Sequence, residues 1–194
     1  MLAPSRRSLL RNWWPVVFWL GVIRAESTDT ASAANTGVLL YKVISTVAPR
    51  VEPAFVELLN TVLRKTGHFV GYAILSALVL LALRNTNRDR LRNRLQRPWG
   101  IYLRDYWRKE WALLGILLTI VTAAFDEIHQ TFIPSRTGRW QDVVLDTCGA
   151  IVIQVFLYLW AARTLRQRRV AEPQAQLSSV FHSQPENERR DWRL

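Results

Sequence analysis

Eight polar or ionisable side chains fall within one short stretch: Asp126, Glu127, His129, Gln130, Arg136, Arg139, Asp142 and Asp146. Two apolar runs, Trp111–Phe125 and Val143–Ala162, enclose them. Ionisable groups at the ends of membrane-length segments are expensive to place, so their presence there marks function or tight pairing. Residues four apart share a helix face, which puts Asp126 with Gln130 and Asp142 with Asp146. By the same rule His68 and Tyr72, further upstream, form a third stripe.

These residue types support several chemistries. Clustered carboxylates serve as general acid and base when their environments push their proton affinities apart. Arg136 and Arg139 carry guanidinium groups that grip a phosphate through two parallel hydrogen bonds. In an enzyme, Arg136 would clamp an anion, Glu127 or Asp126 would act as base, and His68 as acid or orienter. His68, Asp126, Glu127, His129 and Asp146 also form an acid-rich set suited to a divalent metal, although no spacing fixes a geometry and the metal stays unknown. A structural reading uses the same groups: the four acids pair with Arg136, Arg139 and His68 and staple helix ends to a loop.

The chain that must position them has 194 residues, one domain's worth, with no internal repeat. Its single cysteine, Cys148, excludes an internal disulfide and a cysteine-cluster metal site. A net charge of +11 raises the question of nucleic acid. The basic residues instead abut apolar segments, the pattern of membrane flanks, and no nucleic-acid partner is expected.

Four apolar spans are expected in an all-α bundle, at about 12–24, 67–84, 111–128 and 143–162. They form a domain over 12–162, after a basic N-terminus at 1–11 and before a basic tail at 163–194 that reads as disordered. The S-R-R-S-L-L-R order resembles a twin-arginine export signal, with Ala31-Ser32-Ala33 as a cleavage site, but the Trp-rich segment after it reads as an uncleaved first span. Residues 38–47, and a segment opened by Pro53 with Phe55, Leu58, Leu59, Val62 and Leu63 at helical spacing, read as helices lying on the membrane surface. Gly67 and Gly71 form a G-x-x-x-G that would let a neighbouring helix come close. The stretch from Arg84 to Lys109, basic and interleaved with Trp99, Tyr102, Tyr106 and Trp107, reads as a loop on lipid headgroups.

Charge asymmetry orients the bundle. Three Arg/Lys precede the first span, nine lie in the 84–109 stretch and seven in the tail, against seven on the opposite side. Both termini are therefore expected in the cytoplasm of a multi-pass inner-membrane protein. His68 and Glu127 stand 16 residues from their inner anchors Arg84 and Trp111, and Asp146 stands 17 from Arg163. At about 1.5 Å per residue all three rise about 24–26 Å, to one level near the outer face.

The segments R-K-T-G-H-F-V-G-Y at 64–72, D-E-I-H-Q-T-F-I-P-S-R-T-G at 126–138 and D-V-V-L-D-T-C-G-A at 142–150 resemble the three motifs of the VanZ-like family of bacterial membrane proteins. Two positions depart from the family pattern: Ser135 stands for a usual Gly, and Ile153 for a second Gly. The resemblance implies a polytopic inner-membrane protein of the cell envelope, with a link to teicoplanin-type glycopeptide susceptibility. Expected partners are membrane lipids and either a lipid-linked cell-wall precursor or a glycopeptide. Thr66-Gly67-His68, and Ser135-Arg136 followed by Asp142 and Asp146, also resemble the spacing of phosphatidic-acid-type lipid phosphatases, except that Asp142 stands where those enzymes carry a nucleophilic His and their first Lys-rich motif is missing. The expected site joins His68, Asp126, Glu127, Asp142 and Asp146 as reacting groups with Tyr72, Gln130, Arg136 and Arg139 as binding groups.

Overall fold

The computed structural model describes residues 6–27, 33–92, 103–132 and 138–183. All of its regular elements are helical: α1 (Arg6–Glu26), α2 (Ala33–Val47), α3 (Pro53–Arg92), α4 (Leu103–Tyr106), α5 (Lys109–Gln130) and α6 (Trp140–Ser183). Three stretches, Pro53–Leu91, Leu103–Gln130 and Trp140–Arg168, are long and apolar enough to cross a membrane. The chain is an all-α membrane bundle.

An apolar core of Val16, Tyr72, Leu75 and Val79 sits beside buried polar groups, and many large apolar side chains face outward. Phe125, Val152, Phe156 and Trp160 are exposed, whereas Ser76, Thr119, Asp146 and Gln154 are buried. Lipid tails solvate the apolar rim, and polar groups turn inward where they find one another. Gln154 Nε2 on α6 donates to both the carbonyl and the hydroxyl oxygen of Ser76 on α3, at 3.0 and 2.9 Å.

Close helix approach falls on different glycines from those expected. A Cβ at Gly67 or Gly71 would meet nothing within 4 Å, so that pair makes no intimate helix contact. At Gly149 of α6 a Cβ would collide with the backbone carbonyl of Phe69 on α3, and at Gly115 of α5 it would press on Ser76 and Gln154. G-x-x-x-G spacing identifies a small-residue stripe, but not the neighbour it faces. The Gly71 carbonyl serves α1 instead, accepting from Trp19 Nε1 at 2.8 Å.

Three boundaries move. Residues 53–63 are not a separate surface helix; they are the first part of the 40-residue α3, about 60 Å long. A helix continues past the end of its apolar stretch unless something breaks it, and no proline follows Pro53 within α3. At the other end α3 runs on to Arg92 and α5 begins at Lys109, shortening the 84–109 loop; Trp99 and Tyr102 lie outside the described residues. Likewise α6 continues through Pro173 to Ser183, where a disordered tail is expected; Ala, Arg, Gln and Leu in this tract are strong helix formers.

α1 lies antiparallel to α3. Near its start Asn12 Nδ2 donates to Asp89 Oδ2 at 2.9 Å and Arg11 pairs with the same oxygen at 3.2 Å, while near its end Arg24 reaches Asp126 on α5. At the Asp89 end, α4 seals the bundle: Arg84 Nε donates to the Asp105 carbonyl at 3.0 Å, and its guanidinium lies 5.0 Å from the Tyr106 ring centre. Directions alternate through α1, α3, α5 and α6, so the acids of α5 and α6 and the imidazole of α3 share the opposite end.

Candidate functional site

Two carboxylates end α5, where the helix dipole is negative and repels them. Asp126 and Glu127 are nonetheless buried, 6% and 7% exposed, and each has a compensating partner. Gln130 Nε2, one turn on, donates to Asp126 Oδ2 at 2.9 Å, and Arg24 Nη1 stands 4.0 Å from Asp126 Oδ1. The Arg139 backbone N–H donates to Glu127 Oε2 at 2.5 Å. This last bond ties the incoming chain of α6 back onto the end of α5.

Asp142 and Asp146 occupy the first turns of α6, where the dipole favours negative charge, and both are buried. Asp146 Oδ2 faces His68 Nδ1 of α3 at 3.7 Å, an ion-pair distance somewhat longer than a hydrogen bond. Tyr72, one turn along α3, is 1% exposed, with its ring centre 6.2 Å from that of His68. The groups form one electrostatic set: His68 feels Asp146 and Asp126, Tyr72 feels Asp126, Asp146 and Glu127, and Glu127 feels Asp142.

The structure therefore brings His68, Tyr72, Asp126, Glu127, Gln130, Asp142 and Asp146 to one end of the bundle. Arg139 differs from expectation: its side chain is exposed and its backbone, not its guanidinium, engages the acids. Arg136 and Ser135 lie outside the described residues. His129 sits in the last turn of α5. Among the described residues no three His, Cys, Asp or Glu side chains are placed to hold a metal ion.

Two clefts reach this cluster. One, of about 460 Å³, lies between α1 and α5 and is lined by Leu20, Ile23, Arg24, Thr122, Phe125, Asp126 and His129 among others. The second, of about 370 Å³, lies between the ends of α1, α2 and α3 and is lined by Glu26, Asn60, Arg64, Gly67 and His68 among others. Arg24 and Arg64 line these clefts but are not among the expected residues. Helix spacing carries their signal: Arg64 is four residues before His68 on one helix face, and Arg24 stands 13 residues, about 20 Å, along α1 from Arg11.

Four buried atoms in or beside the cluster have no hydrogen-bond partner among the described residues: His68 Nδ1, Tyr72 Oη, His129 Nδ1 and Asp146 Oδ1. The profile of the VanZ/LLP1 family matches residues 13–161.

The chain belongs to the VanZ/LLP1 family. No curated protein and no solved structure matches it. The VanZ/LLP1 region starts within α1 and ends within α6, so it contains the whole cluster and both clefts. Within the three VanZ-like motifs lie His68 and Tyr72, then Asp126, Glu127 and Gln130, then Asp142 and Asp146. Gly149, in the third motif, is the residue that lets α6 touch α3 beside His68.

Proposed function

We propose that this VanZ/LLP1 protein crosses the bacterial inner membrane four times, with both termini cytoplasmic, and binds the phosphate-bearing headgroup of a lipid-linked envelope component at its outward end. The pinning of α1 at Asp89 on one side and Asp126 on the other supports a fourth crossing, because α1 then traverses the same layer as its neighbours. The excess of Arg/Lys at the other end supports the orientation.

One observation carries the headgroup reading. His68 pairs with Asp146 through Nδ1 and also lines a cleft that holds Arg64, so one wall of that cleft combines an imidazole with a guanidinium. Such a wall suits a phosphate: Arg supplies two parallel donors and the imidazole a third.

A second reading, a phosphatase or phosphotransferase acting on such a headgroup, is favoured by the same pair. An imidazole oriented by a buried carboxylate is the arrangement of a general base. Any effect on envelope chemistry or on teicoplanin-type glycopeptides would follow from occupancy or turnover of this headgroup site. The test is to reconstitute the full chain in nanodiscs and add a polyprenyl phosphate. Saturable binding without phosphate release supports the binding protein, and release that His68→Gln abolishes supports the enzyme. Neither binding nor release would overturn both.

A further inference from the structure

The cleft between α1 and α5 is separate from the His68 wall. Leu20, Ile23, Thr122 and Phe125 line its part nearer the middle of the bundle, Arg24, Asp126 and His129 lie about one turn further out, and Ile128 and Phe132 complete the lining beside and beyond them. One helical turn, about 5.4 Å, separates Leu20 from Arg24 and Thr122 from Asp126. Phe125 and Ile128 on its margin are exposed, so the cleft opens sideways onto the lipid-facing rim of the bundle. Its volume of about 460 Å³ falls within the usual range for small-molecule sites.

The polar end carries both signs of charge. Arg24 Nη1 and Asp126 Oδ1 stand 4.0 Å apart, too far for a hydrogen bond, and the Arg24 side chain is half exposed. His129 Nδ1 is buried at this end without a partner among the described residues. A cation and a carboxylate about one turn from an apolar slot match an amphiphile in the outer leaflet whose headgroup also carries both signs.

The geometry points to a lateral binding site for a diacyl phospholipid whose headgroup joins a phosphodiester to a primary ammonium. The phosphate lies against Arg24 and His129, the ammonium against Asp126, and one acyl chain along Leu20, Ile23 and Phe125. An anionic headgroup without the amine satisfies Arg24 but leaves Asp126 facing a negative charge, so the slot discriminates between the two. The inference stands apart from the headgroup reading of the Arg64–His68 cleft, since it needs no reaction and no polyprenyl ligand.

The experiment is native mass spectrometry of the full chain released from micelles containing equal amounts of phosphatidylethanolamine and phosphatidylglycerol. The wild type retains phosphatidylethanolamine with a preference of about fivefold, the scale of one partly exposed charge pair. Asp126→Asn reduces that preference to near unity while lipid is still retained. Thr122→Phe, which fills the slot from a half-buried position, removes the bound lipid, and Arg64→Gln leaves preference and retention intact. Equal retention of the two lipids by the wild type, or a preference that survives Asp126→Asn, overturns the assignment. If Asp126→Asn lowers the melting temperature too far to be measured, Thr122→Phe decides alone: retention equal to wild type overturns it.

Discussion

Gly149 of α6 rests against the backbone of Phe69 of α3, where any Cβ would collide with the Phe69 carbonyl. Phe69 follows His68, and Asp146 lies one turn before Gly149, so this single backbone contact sets the separation of the imidazole and the carboxylate. Gly149→Ala must force α3 and α6 apart, with an overpacking cost of about 1–3 kcal/mol. Gly67→Ala and Gly71→Ala, where a Cβ meets nothing, should be neutral or stabilise by up to about 1 kcal/mol through helix propensity. Unfolding of the three variants in one detergent checks the order; equal effects would contradict it.

Glu127 and Arg139 make a second discriminating pair. Because Glu127 accepts from the Arg139 backbone, Arg139→Ala keeps the bond and should change stability by less than about 0.5 kcal/mol. Glu127→Ala removes a charged acceptor, and Arg139→Pro removes the donor. Each should cost about 1.5–3 kcal/mol. A loss on Arg139→Ala as large as that on Glu127→Ala would mean that the guanidinium, not the backbone, engages the acids.

Orientation is open to chemical labelling in a Cys148→Ser background. In the proposed orientation Glu52, just before α3, lies at the outward end, and Arg90, near the other end of α3, at the cytoplasmic end. An impermeant thiol reagent added to intact cells should modify a cysteine at 52 and spare one at 90. The reverse pattern would turn the cluster toward the cytoplasm.

Much of this arrangement was legible in the linear chain because helix rise is constant. Counting from Arg84, Trp111 and Arg163 put His68, Glu127 and Asp146 at one height, and the structure joins the first and last at 3.7 Å. Facing was harder to read. Spacing alone offered Gly67 and Gly71 as the close contact, whereas the contact depends on which side of α3 meets α6, a property of the assembled bundle. The continuity of α3 was hidden because Arg64 and Lys65 end the apolar pattern without ending the helix. The engagement of the Arg139 backbone left no trace in residue type, since any residue but proline has that donor.

The most direct test of the central claim is the binding of a polyprenyl phosphate to nanodisc-embedded protein, measured together with thermal stability, for wild type, Arg64→Gln and His68→Gln. Arg64 lines the cleft and the His68 side chain is only 17% exposed, so both variants alter the proposed phosphate wall. A headgroup site predicts about a tenfold or greater loss of affinity in each, the scale of one charge-assisted hydrogen bond, with the Arg64→Gln melting temperature little changed. Unaltered affinity in both variants, with stability lost on His68→Gln, would show that the cluster only holds the helix ends together.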